Sequence, residues 1–372
     1  MSWEIADFIS HPLWMVSTLL LAAVTRAQRR GPWDPSACPV RLTGKTAIVT
    51  GANTGIGKFI ALDFACRDAR VILACRSESR GMAALKEIRQ RSGNQNVHLR
   101  IIDTSSLESV RKFAAQILEE EKELHILVNN AGVSGLPKGI TSDGLEVSFA
   151  TNHIGPFLLT NLLLDLLKKS APARIVNVSS ANHKRGKVDF SHFRGENLTC
   201  IMDTVYNHTK LHNVIWTNEL ARRLQGTGVT ANSLHPGIVM TEVMRHYNWI
   251  VRLIFNIVGI CFFKSAKEGA VSTIYCAVAE ETEGISGKYF DSDCSLVLPA
   301  PDARDLAIGA KEFEYLSKTV NCEDCELSEP ILETLSMMWL FINLYTSVDH
   351  EETVGGWPLV LQHFHSCVLM AE

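Results

Sequence analysis

The sequence predicts an α/β protein built on a doubly wound parallel sheet of about seven strands, with helices on both faces. Short apolar runs alternate with amphipathic helical patterns from residue 42 to about residue 292. A glycine-rich turn follows the first apolar run and leads directly into a helical pattern. Strand, helix and strand repeated in this order indicate parallel strands joined by crossover helices.

The strand candidates are short runs of aliphatic and β-branched residues, and longer amphipathic patterns separate them. The predicted strands cover residues 46–50, 70–74, 97–102, 125–129, 174–178, 229–234 and 288–291. The predicted helices include 57–68, 77–91, 107–122, 153–169 and 206–225. Together these elements are typical of a Rossmann-type fold.

Composition limits the class of protein. The chain has 372 residues, of which 46% are hydrophobic, and its mean hydropathy is +0.07, so it can form a large core and favours contact with a membrane. The net charge is −4, although residues 319–372 hold nine acidic residues and no Lys or Arg. The rest of the chain is mildly basic but has no Lys/Arg run, so we expect no nucleic-acid partner.

The apolar run at 13–24 precedes Arg26, Arg29 and Arg30. A retained membrane anchor is favoured over a cleaved signal peptide, whose positive charges normally come first; an interfacial helix is the other alternative, because a full span needs about 20 residues. The basic flank favours a cytosolic body. The predicted organisation is an anchor and linker at 1–41, a catalytic domain at 42–318 and an acidic tail at 319–372.

Two further apolar stretches and the cysteines leave alternatives open. Residues 249–263 form either a buried helix pair or a lipid-facing substrate lid, and residues 335–345 are an apolar island in the acidic tail. The ten cysteines lack the spacing of a disulfide scaffold, and most are expected to be reduced. Cys322 and Cys325 lack a second ligand pair, so no metal site is expected.

The glycine-rich turn is the first candidate binding site. A strand, a glycine turn and a helix amino terminus together bind a pyrophosphate, because glycine lets backbone N–H groups approach the phosphates and the helix dipole favours their charge. The alternative is a simple tight turn. The predicted cofactor-binding residues here are Gly51, Asn53, Thr54, Gly55, Ile56 and Gly57.

Basic residues near this turn bear on the choice of dinucleotide. Arg76 follows the second strand, where an NAD enzyme usually has an acidic residue for the ribose hydroxyls. A cation there, with Lys58 as a second candidate, suits a 2′-phosphate and favours NADP(H) over NAD(H). The alternative is that both are ordinary surface charges.

A set of ordered motifs identifies the class. Asn129-Asn130-Ala131-Gly132 ends the fourth strand, Asn152 and Ser179-Ser180 follow, and Tyr206 is separated from Lys210 by three residues. With the glycine turn and Pro236-Gly237, these residues resemble the short-chain dehydrogenase/reductase superfamily over about residues 42–291. The resemblance implies a nicotinamide-dependent oxidoreductase.

The spacing of Tyr206 and Lys210 has a physical reason. Free tyrosine has a pKa near ~10, so it is a poor base at neutral pH. Lys210 lies one helical turn further on, where its charge favours the phenolate of Tyr206. A tyrosine in this setting donates a proton to a carbonyl oxygen or takes one from an alcohol.

The resemblance also implies roles for single residues. Lys210 and Tyr206 would contact the nicotinamide ribose, Ser180 rather than Ser179 would bind the reacting oxygen, and Asn152 would hold a proton-relay water. A structural hydroxyl at the strand end is the alternative for Ser180, and a helix cap is the alternative for Asp103. The further cofactor contacts implied are Asp103, Asn130, Ala131, Gly132, Pro236, Gly237, Val239 and Thr241.

An insertion narrows the resemblance to one branch. Residues 183–203 separate Ser180 from Tyr206 by about twice the usual gap, which is similar to the microsomal retinol dehydrogenase branch. That likeness implies NADP(H), an endoplasmic-reticulum membrane anchor and a small lipophilic carbonyl or alcohol substrate such as a retinoid. It also allows a homodimer, a contact that an anchor could replace.

The sequence therefore predicts an NADP(H)-dependent oxidoreductase that interconverts an apolar alcohol and its aldehyde or ketone at a membrane. An NAD(P)-dependent hydroxysteroid dehydrogenase is the alternative enzyme. A non-catalytic scaffold that binds NADP and lipid is the alternative outside the enzymes.

Overall fold

The computed structural model describes residues 33–198, 204–239 and 263–321, with a few positions between 16 and 24. These residues belong to the first of two units, Met1–Glu326 and Leu327–Glu372. Among them, no helix has both the length and the apolar character that a membrane span needs. Most of the 13–24 run and all of 249–262, 335–345, Thr241, Cys322 and Cys325 lie outside the described residues.

Within the described residues, seven strands form one sheet in the order β3-β2-β1-β4-β5-β6-β7. Every neighbouring pair is parallel. This confirms the predicted fold class. The strands are β1 (Thr46–Thr50), β2 (Arg70–Cys75), β3 (Val97–Ile101), β4 (Ile126–Asn129), β5 (Ala173–Val178), β6 (Val229–Leu234) and β7 (Tyr289–Phe290).

The helices flank this sheet. α1 and α8 pack together, whereas α3 packs against α5 and α7 contacts β5, β6 and α9. Serine and aspartate side chains begin several helices: Ser106 caps α3, Ser265 forms a capping box on α8, and Asp305 caps α9. The helices are α1 (Gly55–Cys66), α2 (Glu78–Ser92), α3 (Leu107–Glu120), α4 (Val147–Phe149), α5 (Gly155–Leu162), α6 (Leu164–Lys169), α7 (Thr204–Arg223), α8 (Ala266–Val278) and α9 (Leu306–Thr319).

The predicted helix at 153–169 is interrupted in the structure. Ala150–Ile154 forms a π-helix between α4 and α5, and Leu163 separates α5 from α6. Pro156 has no N–H and cannot bond the carbonyl of Asn152 four residues earlier, so regular α-helix cannot continue through this point. Asn152, a candidate catalytic residue, lies in this π-helix.

The order of the strands locates the candidate site. β1 is flanked by β2 on one side and β4 on the other. The strands after β1 are added on one side of it and those from β4 onward on the other, so the strand order reverses between β1 and β4. In open parallel sheets the crevice at the carboxyl ends of such strands binds ligands. The glycine turn after β1 and the Asn130 segment after β4 both begin there.

The insertion between Ser180 and Tyr206 is ordered over most of its described length. It contains two 3₁₀-helices, Ala181–Arg185 and Phe190–Arg194, and Asp189 caps the second. Phe193 is fully buried, and its ring contacts those of Phe149 and His212. The insertion therefore packs onto α7 as part of the body.

The segment before β1 is fixed by a buried arginine. Arg67, 6% exposed, donates to the carbonyls of Pro35, Cys38 and Val40 and pairs with Asp63. Burying a guanidinium is costly unless its donors are satisfied, and here four groups satisfy them. The linker predicted to begin after the anchor is thus attached to the body along residues 35–40.

Candidate active site

A cavity of about 480 Å³ lies at the carboxyl ends of the strands. It collects residues that are far apart in the sequence, including the glycine turn after β1, the Asn130 segment after β4, and both Tyr206 and Lys210 from α7. The predicted site residues that line it are Gly51, Asn53, Thr54, Gly55, Ile56, Arg76, Asp103, Asn130, Ala131, Gly132, Ser180, Tyr206, Lys210, Pro236, Gly237 and Val239.

The glycine turn is held against the loop after β4. Thr50 Oγ1 accepts hydrogen bonds from the N–H groups of Asn130 and Ala131, each at 3.0 Å, and Asn130 Nδ2 donates to Thr50 O at 2.9 Å. A Cβ on Gly57 would lie 2.5 Å from both Asn130 Nδ2 and Gly51 O. Gly57 is therefore packed against Asn130 and Gly51 rather than lining the cavity, and only a hydrogen fits in place of its side chain.

These contacts test whether a dinucleotide fits the residues present. Gly51 has φ +69°, and a Cβ there would lie 3.0 Å from Ala131 Cα, so the turn depends on glycine. Within the described residues, Thr54 makes no capping hydrogen bond with its side chain at the start of α1. Thr54, Gly55 and Ile56 line the cavity, so the amino terminus of α1 borders it, as an anion site at a helix amino terminus requires. The residues fit a pyrophosphate.

Arg76 and Asp103 lie together at one end of the cavity. Arg76 Nη1 is 3.6 Å from Asp103 Oδ2, and the side chain of Arg76 is 56% exposed. Ser77 and Arg80 also line the cavity, so Arg80 adds a second arginine to its lining. The sequence analysis missed Arg80; the available signal was its position in the first turn of α2, the helix that begins two residues after Arg76.

Lys58 has a different position from the one expected. Its ammonium pairs with Glu87 Oε2 at 2.8 Å, and Lys58 is not among the residues that line the cavity. α1 turns this side chain toward α2, because Glu87 supplies a carboxylate there. The expected contact of Lys58 with a 2′-phosphate therefore has no support in the structure.

Lys210 lines the cavity, although it is almost fully buried. Its side chain donates to Val178 O at 2.8 Å, and its Nζ lies 5.5 Å from the ring centroid of Tyr206. Burial lowers the pKa of Lys210 to about 8. An ammonium so poorly solvated has much to gain from an anionic neighbour, and the phenol of Tyr206 is the adjacent ionisable group on the same helix.

The two neighbouring serines differ in their surroundings. Ser179 is 2% exposed, and its Oγ donates to Lys210 O at 2.7 Å. Ser180 is half-buried, and its Oγ accepts from Asn182 N at 3.2 Å. A hydroxyl that accepts one hydrogen bond still has its own proton to donate toward the cavity.

Asn152 is fixed from both ends of its side chain. Its Oδ1 accepts from Val133 N at 2.7 Å, while Nδ2 donates to Val133 O at 2.9 Å and to Thr209 Oγ1 at 3.1 Å. Oδ1 and Lys210 Nζ each lie 3.5 Å from the position that a Cβ on Gly132 would occupy. The structure thus brings Asn152, Gly132 and Lys210 together, although Asn152 is not among the residues that line the cavity.

The sheet order and the glycine turn define a Rossmann-type fold, and comparison with known proteins gives the family. The chain matches the short chain dehydrogenase family over residues 45–249. It therefore belongs to this family of NAD(P)-binding enzymes, and it is an oxidoreductase of the class that acts on CH–OH groups.

Its relatives narrow the assignment to the retinol dehydrogenase-like branch, as the insertion predicted. Mouse retinol dehydrogenase 12 is 48% identical over 266 residues, which cover 72% of this chain and 83% of that protein. Human retinol dehydrogenase 13 is 46% identical over 294 residues, which cover 77% of this chain and 88% of that protein.

Solved structures show the same fold. A protein of Mycobacterium paratuberculosis is 28% identical with a TM-score of 0.63, and the match covers 78% of this chain and 98% of that one. A short chain dehydrogenase from Burkholderia cenocepacia, solved in complex with NADP, is 25% identical with a TM-score of 0.54, and the match covers 68% and 97% of the two chains.

Proposed function

We propose that this protein is an NADP(H)-dependent oxidoreductase that interconverts an apolar, retinoid-like alcohol and its aldehyde or ketone. The observation that carries the proposal is the convergence of Tyr206, Lys210 and Ser180 on the cavity formed by the glycine turn. The catalytic domain assigned to residues 42–318 encloses this site.

Tyr206 is the proposed acid and base. In reduction its hydroxyl donates a proton to the carbonyl oxygen, and in oxidation its phenolate takes the proton from the alcohol. The ammonium of Lys210, 5.5 Å from the ring centroid, stabilises the phenolate by its charge. A bound nicotinamide supplies or accepts the hydride.

Ser180 and Asn152 have supporting roles in the proposal. The Ser180 hydroxyl donates to the reacting oxygen, where negative charge develops during reduction. Asn152 holds Val133 in the cavity wall through its paired side-chain hydrogen bonds. Its main-chain carbonyl accepts from Asn213 Nδ2 at 3.0 Å, and the second lone pair of this oxygen can accept from a water. A water bound there would renew the proton on Tyr206.

The preference for NADP(H) rests on the basic end of the cavity. Arg76 and Arg80 both line it, and a 2′-phosphate would place an anion between two guanidinium groups. The carboxylate of Asp103 orients Arg76 from the other side. The solved relative in complex with NADP is consistent with this preference.

A lipophilic substrate and a membrane location complete the proposal. The relatives at 46–48% identity are retinol dehydrogenases, whose substrate is an apolar alcohol. The apolar run at 13–24 with its basic flank supports attachment to the endoplasmic-reticulum membrane with the body in the cytosol. Membrane lipid is then a partner, and we assign no role to residues 319–372.

The decisive experiment follows cofactor oxidation by the purified full-length protein in detergent. NADPH and NADH are each offered with retinal, a ketosteroid and an alkenal. We expect turnover with NADPH and retinal, and a loss of about a thousandfold or more in kcat for Tyr206→Phe. Full activity of Tyr206→Phe would contradict the mechanism, and a preference for the ketosteroid would favour a hydroxysteroid dehydrogenase.

The cofactor preference has its own matched pair of variants. Arg76→Ala should raise KM for NADPH about tenfold and leave KM for NADH nearly unchanged, because it removes a charge aimed at the 2′-phosphate. Lys58→Ala is the control, since Lys58 pairs with Glu87 and should leave both values unchanged. Equal effects of the two variants would contradict the assignment of Arg76.

A further inference from the structure

Three ionisable side chains form a buried group behind the cavity. His153 in the π-helix, His212 on α7 and Glu312 on α9 are each 0% exposed. Glu312 Oε1 lies 3.0 Å from His153 Nε2, and Glu312 Oε2 lies 2.7 Å from His212 Nδ1. Removing a carboxylate from water costs several kcal/mol, so these groups must compensate one another.

The surroundings favour a proton arrangement over a metal ion. The rings of Phe149 and Phe193 pack on His212 with centroids 5.7 and 4.9 Å away, and Trp216 packs on His153 at 6.1 Å. Among the described residues the group offers three donors, whereas a structural zinc site closed by protein has four.

A hydrogen-bond path leads from this group to Asn152. Asn213 Nδ2 donates to the main-chain oxygen of Asn152 at 3.0 Å, so Asn213 Oδ1 faces His153 Nδ1 at 2.9 Å. His153 Nδ1 must therefore carry a hydrogen. Pro156 cannot bond this carbonyl of Asn152 in the regular helical way, and Asn213 supplies the donor instead.

The two imidazoles favour the charged form of Glu312. Burial raises the pKa of the Glu312 carboxyl, but the His212 and His153 imidazoles more than offset this, so the pKa lies below its usual value. Glu312 therefore carries the negative charge of the group, and the ring of His153 lies between this carboxylate, 3.0 Å from Nε2, and Asn213 Oδ1, 2.9 Å from Nδ1.

We propose that Glu312 on α9 is a positioning residue for the active site. Through His153 and Asn213 it fixes the position of the main-chain carbonyl of Asn152. The inference rests on the role proposed above for Asn152. Its consequence is that α9, which contributes no residue to the cavity, controls the rate of the proton step.

The test compares Glu312→Gln with His212→Asn. Both changes remove a member of the buried group, but only Glu312 pairs with the imidazole that leads to Asn213. We expect Glu312→Gln to lower kcat about tenfold while KM for NADPH and for the carbonyl substrate stays within about twofold. His212→Asn should lower the melting temperature and leave kcat within about twofold.

Asn213→Ala keeps the inference testable if Glu312→Gln folds poorly, and a double-mutant cycle extends the test if both variants fold. Asn213→Ala should lower kcat similarly, and the double variant should lose little more than either single variant, because both act on one path. Additive losses, or unchanged kcat in Glu312→Gln, would overturn the inference. Retention of one equivalent of zinc by the purified protein would also overturn it, in favour of a metal site.

Failure of this inference differs from failure of the proposed function. If Tyr206→Phe abolishes turnover but Glu312→Gln and Asn213→Ala do not affect it, the mechanism stands and the positioning role fails. If Tyr206→Phe retains turnover, the mechanism itself fails.

Discussion

Ser179 and Ser180 are adjacent in the chain, yet their hydroxyls have different hydrogen-bond partners. Both serines line the cavity, but the Ser179 hydroxyl donates to the Lys210 carbonyl, whereas the Ser180 hydroxyl accepts from Asn182 N–H. The family resemblance selected Ser180, and no local pattern in the sequence could separate the two. The two serines differ because α7 contacts the hydroxyl of Ser179. This contact is visible in the structure but not in the sequence.

Alanine substitutions separate these two serines. Ser180→Ala should lower kcat about a hundredfold with little change in melting temperature, because it removes a donor to developing charge. Ser179→Ala should cost about 1 kcal/mol of unfolding free energy and affect kcat much less, because it removes a buried structural bond. Steady-state kinetics and denaturant unfolding of both variants measure the difference, and the reverse pattern would exchange their roles.

Lys210 should destabilise the protein that lacks its cofactor. Burial lowers its pKa from 10.5 to about 8, so the folded chain binds fewer protons than the unfolded chain between these values. The free energy of unfolding should therefore rise as the pH increases from about 8 toward 10.5, and the full penalty is present below pH 8.

Lys210→Met tests this penalty. The variant should be catalytically inactive but about 2 kcal/mol more stable at pH 7, after allowing for the lost bond to Val178, and this gain should shrink by pH 10. Urea unfolding at both pH values measures it, with half-exposed Lys168→Met as the control that should change little. A less stable Lys210→Met at pH 7 would show that its ammonium is better compensated than burial implies.

At the scale of elements, the predicted strands agree closely with the structure. β1 and β6 match at both ends, and the other strands differ by one or two residues. Buried parallel strands have continuous apolar runs bounded by turns, so a local pattern is sufficient. The prediction of one continuous helix at 153–169 was wrong, because hydrophobic periodicity does not reveal a π-helix.

The crossing of α5 over the loop after β3 depends on Gly155. A Cβ there would overlap the carbonyl oxygen of Thr104 and lie 2.9 Å from Ala150 O, and both are backbone atoms that cannot move easily. Gly155→Ala should therefore cost about 3 kcal/mol or more of unfolding free energy and reduce activity through the π-helix.

Gly144→Ala is the matched control for this position. Gly144 has φ +75° in a turn, and no atom lies within 4 Å of its absent Cβ. The substitution should cost only about 1 kcal/mol from backbone strain. Chemical denaturation of the two variants measures the contrast, and equal costs would mean that α5 can move away from Thr104.

For the whole molecule, motifs predicted the site and tertiary contacts completed it. The glycine turn, Asn130, Tyr206 and Lys210 could be predicted from local motifs, and all of them line one cavity. The partner of Lys58 could not be predicted, because Glu87 lies 29 residues away on α2. Likewise, nothing in the pattern around Glu312 indicates that it meets His212 a hundred residues earlier, since that contact exists only after α9 packs on α7.

The side of the membrane occupied by the body has a direct reporter. Asn197-Leu198-Thr199 is a glycosylation sequon, and Asn197 is exposed, whereas Asn177 and Asn207 in the other two sequons are buried. If the body faces the cytosol, Asn197 should stay unmodified in cells. A mobility shift removed by endoglycosidase and by Asn197→Gln would reverse the proposed orientation.

The attachment of residues 35–40 to Arg67 limits how the chain can be shortened for biochemistry. A truncation that starts at Arg41 would remove all three carbonyls and leave the guanidinium with Asp63 alone. Trp33 contributes as well, since its ring meets Tyr275 at 5.2 Å. Removing the apolar amino-terminal run without loss of stability therefore requires a start no later than Trp33.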